Sequence, residues 1–298
     1  MEWAIAAILS SILLAVRSDV NRRFKLNGFR LNFWQSLFTT TAFLPFLYFL
    51  PWPEMGDLFY PIAAISSVIT MMVITVKNNL SASHNGRVSN MEMPIKTFVL
   101  FFFWLLLDPE MMMRMLHNPL QSLGILSMLI LGSYAMNKMR DSDTGWHTFV
   151  QIVPMALMAS CGDALVKYVL SPYDGESLIP MTLSFIALTS IGNMLVSGSI
   201  IAIRPHVARP YEVVPQLIVP NMLKAALIMS GLTFFMLMLF FYALALAPNP
   251  AYVTALGMLT PIWLLIFHKW KKIPDNASPV MGSLLVLSAL GLLLLATL

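Results

Sequence analysis

Charge is scarce in this sequence. Of 298 residues only 11% are Asp, Glu, Lys or Arg, and 58% are apolar. A soluble domain is about a quarter charged and roughly 45–50% apolar. A water-soluble fold of this length still exposes about a quarter of its chain's surface, so it has nowhere to hide such a composition. Cysteine is nearly absent: Cys161 alone excludes an intrachain disulfide and any cysteine-built metal site. No Gly-rich phosphate loop, HExxH or GxSxG occurs, so nothing in the sequence points to nucleotide hydrolysis or hydrolase chemistry. The histidines His84, His117, His147, His206 and His268 lack metal-ligand spacing. The chain is expected not to be an enzyme and to carry no cofactor and no metal. A cleaved leader is not expected either. Glu2 precedes the first apolar run and no small-residue cleavage site follows, so that run is expected to stay as a helix.

What is present is a series of long apolar runs. A helix crossing a hydrocarbon core of about 30 Å needs roughly 20 apolar residues. Ten runs of that kind lie at 2–22, 31–50, 59–77, 87–107, 119–137, 147–169, 178–203, 220–246, 251–268 and 279–297. Turn chemistry separates them, as at Pro51-Trp52-Pro53, Asp108-Pro109-Glu110, Pro172-Tyr173-Asp174-Gly175 and Pro274-Asp275-Asn276. The runs do not alternate in polarity, which excludes barrel strands. The expected fold is an all-α integral membrane protein with ten transmembrane helices. The 23 methionines suit flexible packing between moving helices.

Basic residues divide unevenly between the two sides. Segments after the first, third, fifth, seventh and ninth runs hold Arg17, Arg22, Arg23, Lys25, Arg30, Lys77, Lys138, Arg140, Arg204, Arg209, Lys224, Lys269, Lys271 and Lys272. The opposite side holds only Arg114 and Lys167, together with Glu2, Glu54, Asp57, Asp108, Glu110, Asp174 and Glu176. The positive-inside rule then puts both termini outside the cytoplasm. The net charge of +4 is accounted for by topology and anionic headgroups, and no nucleic-acid partner is expected.

Two halves echo each other. Asp19 and Arg23 in the first run match Asp163 and Lys167 in the sixth, acid before base by four residues and so on one helix face. Pro94 and Pro261 fall in the fourth and ninth runs, and Asn118-Pro119 and Ser278-Pro279 open the fifth and tenth. Five helices per half is odd, so the second half must cross upside down, which surrounds a central site that can open to either side. The halves are read as 1–140 and 146–298, with 203–219 an inserted loop.

The stretch from Phe241-Tyr242-Ala243 through Pro248-Asn249-Pro250 and Leu259-Thr260-Pro261-Ile262 to Leu292 has a short polar break, a proline-bearing helix, a hydrophilic turn and a Gly-containing last helix. It resembles the ending of ten-helix EamA-like members of the drug/metabolite transporter superfamily, and helix count and order match over essentially the whole chain. The resemblance implies a multi-pass transporter of a cell inner membrane. Two departures stand out: the Gly-Glu pair usual after the fourth and ninth helices is missing, and well-described members keep both termini in the cytoplasm.

A charge at mid-bilayer is costly, so one found there is paired and functional by default. The fourth run holds Arg87, Asn90, Glu92 and Lys96. The spacing pairs Glu92 with Lys96 and puts Arg87, Asn90 and Pro94 on another face. Arg17, Asp19 and Arg23 in the first run, and Asp163 and Lys167 in the sixth, frame a vestibule or merely end their helices. Asn193, Tyr242 and Tyr252 are each an interhelical hydrogen-bonder or a substrate contact. Bases outnumber acids in this set, which favours a small anionic or zwitterionic metabolite, such as an amino acid or organic acid, carried by alternating access. A proton or counter-substrate would supply the energy. Translocation of nucleotide-linked or lipid-linked sugars, or export of a cationic drug, are the alternatives. The protein is expected to be a monomer or homodimer.

Overall fold

The computed structural model describes residues 1–53, 58–83, 90, 92–138, 146–203, 220–272 and 278–297. Twelve α-helices carry the described chain: α1 (Glu2–Phe24), α2 (Gly28–Phe43), α3 (Phe59–Ser83), α4 (Glu92–Leu107), α5 (Pro109–His117), α6 (Pro119–Lys138), α7 (Trp146–Leu170), α8 (Gly175–Ile203), α9 (Pro220–Leu246), α10 (Pro250–Gly257), α11 (Thr260–Trp270) and α12 (Pro279–Thr297). A short 3-10 segment, Leu44–Phe49, extends α2. No described residue is in a strand. Of the loop expected at 203–219, Ile203 is instead the last residue of α8; the rest of it, 204–219, and the turn Pro274-Asp275-Asn276 lie outside the described residues.

Eight segments are long and apolar enough to cross a membrane: α1, α3, α6, α7, α8, α9, α10 with α11, and α12. The protein is therefore a membrane protein. The helices α2 and α4 have 16 residues each, about 24 Å of rise and less than the hydrocarbon core. Leucines turn outward where lipid would lie: Leu106, Leu120, Leu290 and Leu294 are all exposed. Polar side chains turn inward. On α2, Arg30, Asn32, Gln35, Ser36, Thr39 and Thr40 are buried.

Local chemistry sets several helix ends. Asn27 caps α2, its Oδ1 accepting from Phe29 N at 3.0 Å. Close by, a Cβ on Gly28 would run into the Thr75 carbonyl oxygen, so glycine lets the start of α2 rest on α3. The turn expected at Asp108-Pro109-Glu110 instead opens a helix. Asp108 Oδ1 accepts from Met111 N at 3.0 Å, and Pro109, at the start, loses no helical hydrogen bond. The ninth run is two helices. Pro261 has no N–H to continue the ladder of α10 and starts α11 instead.

The core places α1 along α9, α2 between α8 and α9, α3 against α7 and α8, and α4 between α7 and α10. The pair α6 and α12 packs against each other. An aromatic chain runs through the interior, with ring centroids of Phe59 and Phe185 5.6 Å apart and those of Phe185 and Phe241 5.7 Å apart.

Candidate functional site

The third helix carries the first correction to the sequence reading. The polar run beginning at Lys77 was expected to end a helix and lie in a loop. In the structure α3 continues to Ser83, because Ser66, Lys77 and Ser81 face inward on one stripe at helical spacing. Lys77 is thus a membrane-depth residue. So is Arg17, one of the bases first counted toward topology; it lies seven residues inside the end of α1.

Lys77 and Arg17 both line a cavity of about 120 Å³ between α1, α3, α4, α7 and α9. Lys96 of α4 and Asp163 of α7 line it as well. One end of the cavity is cationic. Gly28 N of α2 donates to Asn79 Oδ1 at 2.7 Å, and only three residues separate α1 from α2, so the C-terminal ends of α1 and α3 lie together. Arg17 and Lys77 belong to that end. Toward the other end come Leu14, Ile69, Val73 and Val166. Ser66 lies eleven residues before Lys77 on α3, about 16 Å away along the helix.

The ion pairs depart from the expected ones. Glu92 was expected to pair with Lys96, one turn along its own helix; it pairs with Lys77 across from α3. Asp163 was expected to pair with Lys167. It lies instead 2.5 Å from Lys96 Nζ, and Lys96 also sits over the Phe240 ring, 5.1 Å from its centroid. In both cases a partner on a neighbouring helix reaches the buried acid more directly than the residue one turn away. Lys167 is held by backbone: it donates to the carbonyl oxygens of Leu244 and Ala245 at 3.2 Å and of Ala247 at 2.6 Å, and its ammonium lies 5.1 Å from the Trp104 ring centroid. It caps the C-terminal end of α9, where helix carbonyls lack partners.

Arg17 is the exception in this charged group. The residue is 4% exposed, and among the described residues its Nε and Nη2 bond to nothing. Among the described residues no acid pairs with it. The other buried orphan in the cavity wall is Ser66 Oγ.

The remaining residues singled out in the sequence lie elsewhere. Asp19 pairs with Arg23, which is half exposed, and its Oδ1 lies 3.7 Å from His268 Nε2 of α11. Asn90 is buried and donates to Ser18 Oγ at 3.1 Å, while Ser81 Oγ donates to Ser18 O at 2.7 Å. These bonds knot α1, α3 and the start of α4 one residue beyond Arg17. Asn193 exchanges hydrogen bonds with Asn32 of α2, at 2.8 and 3.3 Å. Tyr242 donates to Glu2 at 3.0 Å. Tyr252 is buried between Trp3 and Phe101, with centroids 6.3 and 6.4 Å away. Arg87, with His84, lies outside the described residues. Sequence reasoning missed Lys77, Ser66 and Phe240 as cavity residues. The signal for the first two was the inward spacing on α3. Phe240, one of several aromatics in a strongly apolar helix, gave none.

No family model matches the sequence, and no curated protein does. A solved structure described only as "Crystal structure of protein" matches 99% of this chain and 96% of its own, with a TM-score of 0.63 and 12% identity. An identity that low shows a shared fold and nothing about activity.

Proposed function

We propose that the protein is a secondary-active transporter that carries a small anionic or zwitterionic metabolite by alternating access. The observation that carries this reading is Arg17, a buried guanidinium that has no counter-charge among the described residues, on the wall of an interhelical cavity. A cation in that setting costs several kcal/mol, which an anion arriving in the cavity would offset. The cavity is comparable to one that admits benzene, too small in this state for a nucleotide-linked sugar. Both nearby acids are engaged by lysines, so a cationic drug finds no open carboxylate there.

Helix packing supports ten crossings in two inverted halves, 1–140 and 146–298, with α2 and α4 counted among them. Exchanging the halves maps α1 on α7, α2 on α8, α3 on α9, α4 on α10 with α11, and α6 on α12. Under that exchange the contact of α1 with α9 becomes that of α7 with α3, and the contact of α2 with α9 becomes that of α8 with α3; all four pairs pack. Pairs that map onto themselves meet through like residues, Asn32 with Asn193 and Thr97 with Thr254, the latter at 3.1 Å. The last pairing sets Pro94 against Ala251, next to Pro250, rather than against Pro261. Such inverted halves suit alternating access to one central site. No nucleotide-binding motif is present, so a proton or a counter-substrate would drive transport. The EamA-like resemblance points the same way.

Purified protein in proteoliposomes is expected to take up at least one of labelled alanine, glutamate, lactate, succinate and inorganic phosphate faster than empty liposomes do. Arg17→Ala and Lys96→Ala should abolish that uptake. Normal uptake by both variants, or none by the wild-type protein, overturns the reading.

The reading also places the chain in a cell inner membrane with both termini outside the cytoplasm. With Arg17 and Lys77 removed from the count, the exposed bases Arg23, Lys25, Lys138, Lys224, Lys269, Lys271 and Lys272 remain on one side, and Arg114 on the other. In a Cys161→Ser background, Arg114→Cys is expected to react with an impermeant maleimide on intact cells, and Lys272→Cys only after permeabilisation. The reverse pattern inverts the topology.

A further inference from the structure

The balance of charge and surface in the cavity narrows the solute class, on the premise that the cavity is the transport site. Three cations, Arg17, Lys77 and Lys96, stand against two carboxylates, Glu92 and Asp163. Each carboxylate is already within contact of a lysine. One positive charge is left over, and it is on Arg17. A solute with a single negative charge closes the balance. A dianion would bring a second charge with no cation to meet it. A zwitterion would neutralise Arg17 with its carboxylate but bring an ammonium that needs an acceptor. Neither acid is free for it unless it displaces a lysine; the hydroxyls of Ser10 and Ser66 could accept from it, but they carry no charge to balance it. An ammonium buried without an anionic partner is costly in a medium of low dielectric.

The rest of the solute is constrained by the wall. Beyond Arg17 and Lys77 the wall carries Leu14, Ile69, Val73, Met93 and Val166, and the charges that reach this part, Lys96 and Asp163, are already paired with each other. Apolar surface of that kind gains from burying CH₂ groups. The guanidinium fork matches a carboxylate in two parallel hydrogen bonds. We propose that the site takes a short aliphatic monocarboxylate, its carboxylate on Arg17 and its hydrocarbon tail along α3 and α7. A volume like that of a benzene-sized cavity holds about six heavy atoms, the size of butanoate.

The test is thermal unfolding of the purified full-length protein in detergent with 10 mM of four probes, at matched sodium chloride. Butanoate is expected to raise the midpoint; valine, succinate and 1-butanol are not. Arg17→Gln should lose the butanoate response. Val166→Phe narrows the apolar wall, and should respond to acetate and no longer to butanoate. That variant keeps every charge, so it tests the tail if Arg17→Gln does not fold. An Arg17-dependent shift with valine or succinate overturns the monocarboxylate assignment and leaves the transporter reading standing. A butanoate shift alongside proteoliposomes that carry no butanoate overturns transport and leaves the site. No shift with butanoate, or an equal one in Arg17→Gln, overturns the assignment.

Discussion

Arg17→Met is expected to unfold at a higher temperature than the wild-type protein when no solute is present. Removing a charged residue from a binding site usually weakens something, but here the empty protein has nothing to lose. The guanidinium is buried, and among the described residues its Nε and Nη2 are unbonded and no acid is paired with it. Methionine has a similar reach, fills the space flexibly and brings no charge to desolvate. Replacing buried ionic groups by apolar ones of similar volume can stabilise a protein by about 1–4 kcal/mol, and an unpaired cation belongs at the upper end. The same substitution should abolish uptake. Stability rising while transport falls is the signature of a group kept for its ligand. A melting midpoint for Arg17→Met below that of the wild-type protein would mean that the guanidinium holds the fold together.

Lys96 and Asp163 should behave in the opposite way. They lie 2.5 Å apart between α4 and α7, and both are buried. Lys96→Met strands a carboxylate, and Asp163→Leu strands an ammonium; each is expected to cost about 3–5 kcal/mol. The double variant strands neither and should recover most of that loss. Unfolding midpoints of the four proteins form a double-mutant cycle, and an interaction energy near zero would show that the pair does not couple the two helices. Transport separates the roles further. If Lys96 also faces the solute, the double variant folds and does not transport.

Much of the fold was legible because lipid imposes a simple rule on long segments. The runs read at 220–246 and 279–297 coincide with α9 and α12, each opened by a proline that fits a first helical turn. The rule fails where a helix faces other helices instead of lipid. Lys77, Asn78 and Asn79 read as the end of a helix because they are polar. They are helical because α3 turns those residues away from lipid, Lys77 to the cavity and Asn79 to the start of α2. The pairings failed for a related reason. Spacing along one helix shows which residues can meet, as it did for Asp19 and Arg23. It does not show that Lys77 on a neighbouring helix outcompetes Lys96 for Glu92. The list of charged cavity residues was therefore partly visible, while the feature that gives the cavity its character, one base left over after pairing, exists only once the helices are assembled.

On the transporter reading proposed above, Lys167 would set an edge to the solute's path. An ammonium has three protons to give, and all three go to the last carbonyls of α9. An anion passing that corner would find positive potential but no vacant N–H, and could gain one only by unravelling the helix end. Two bases four residues from an aspartate, Arg23 on α1 and Lys167 on α7, thus stand on different footings: the first is half exposed and bonded to that aspartate, and the second rivets α7 to the end of α9.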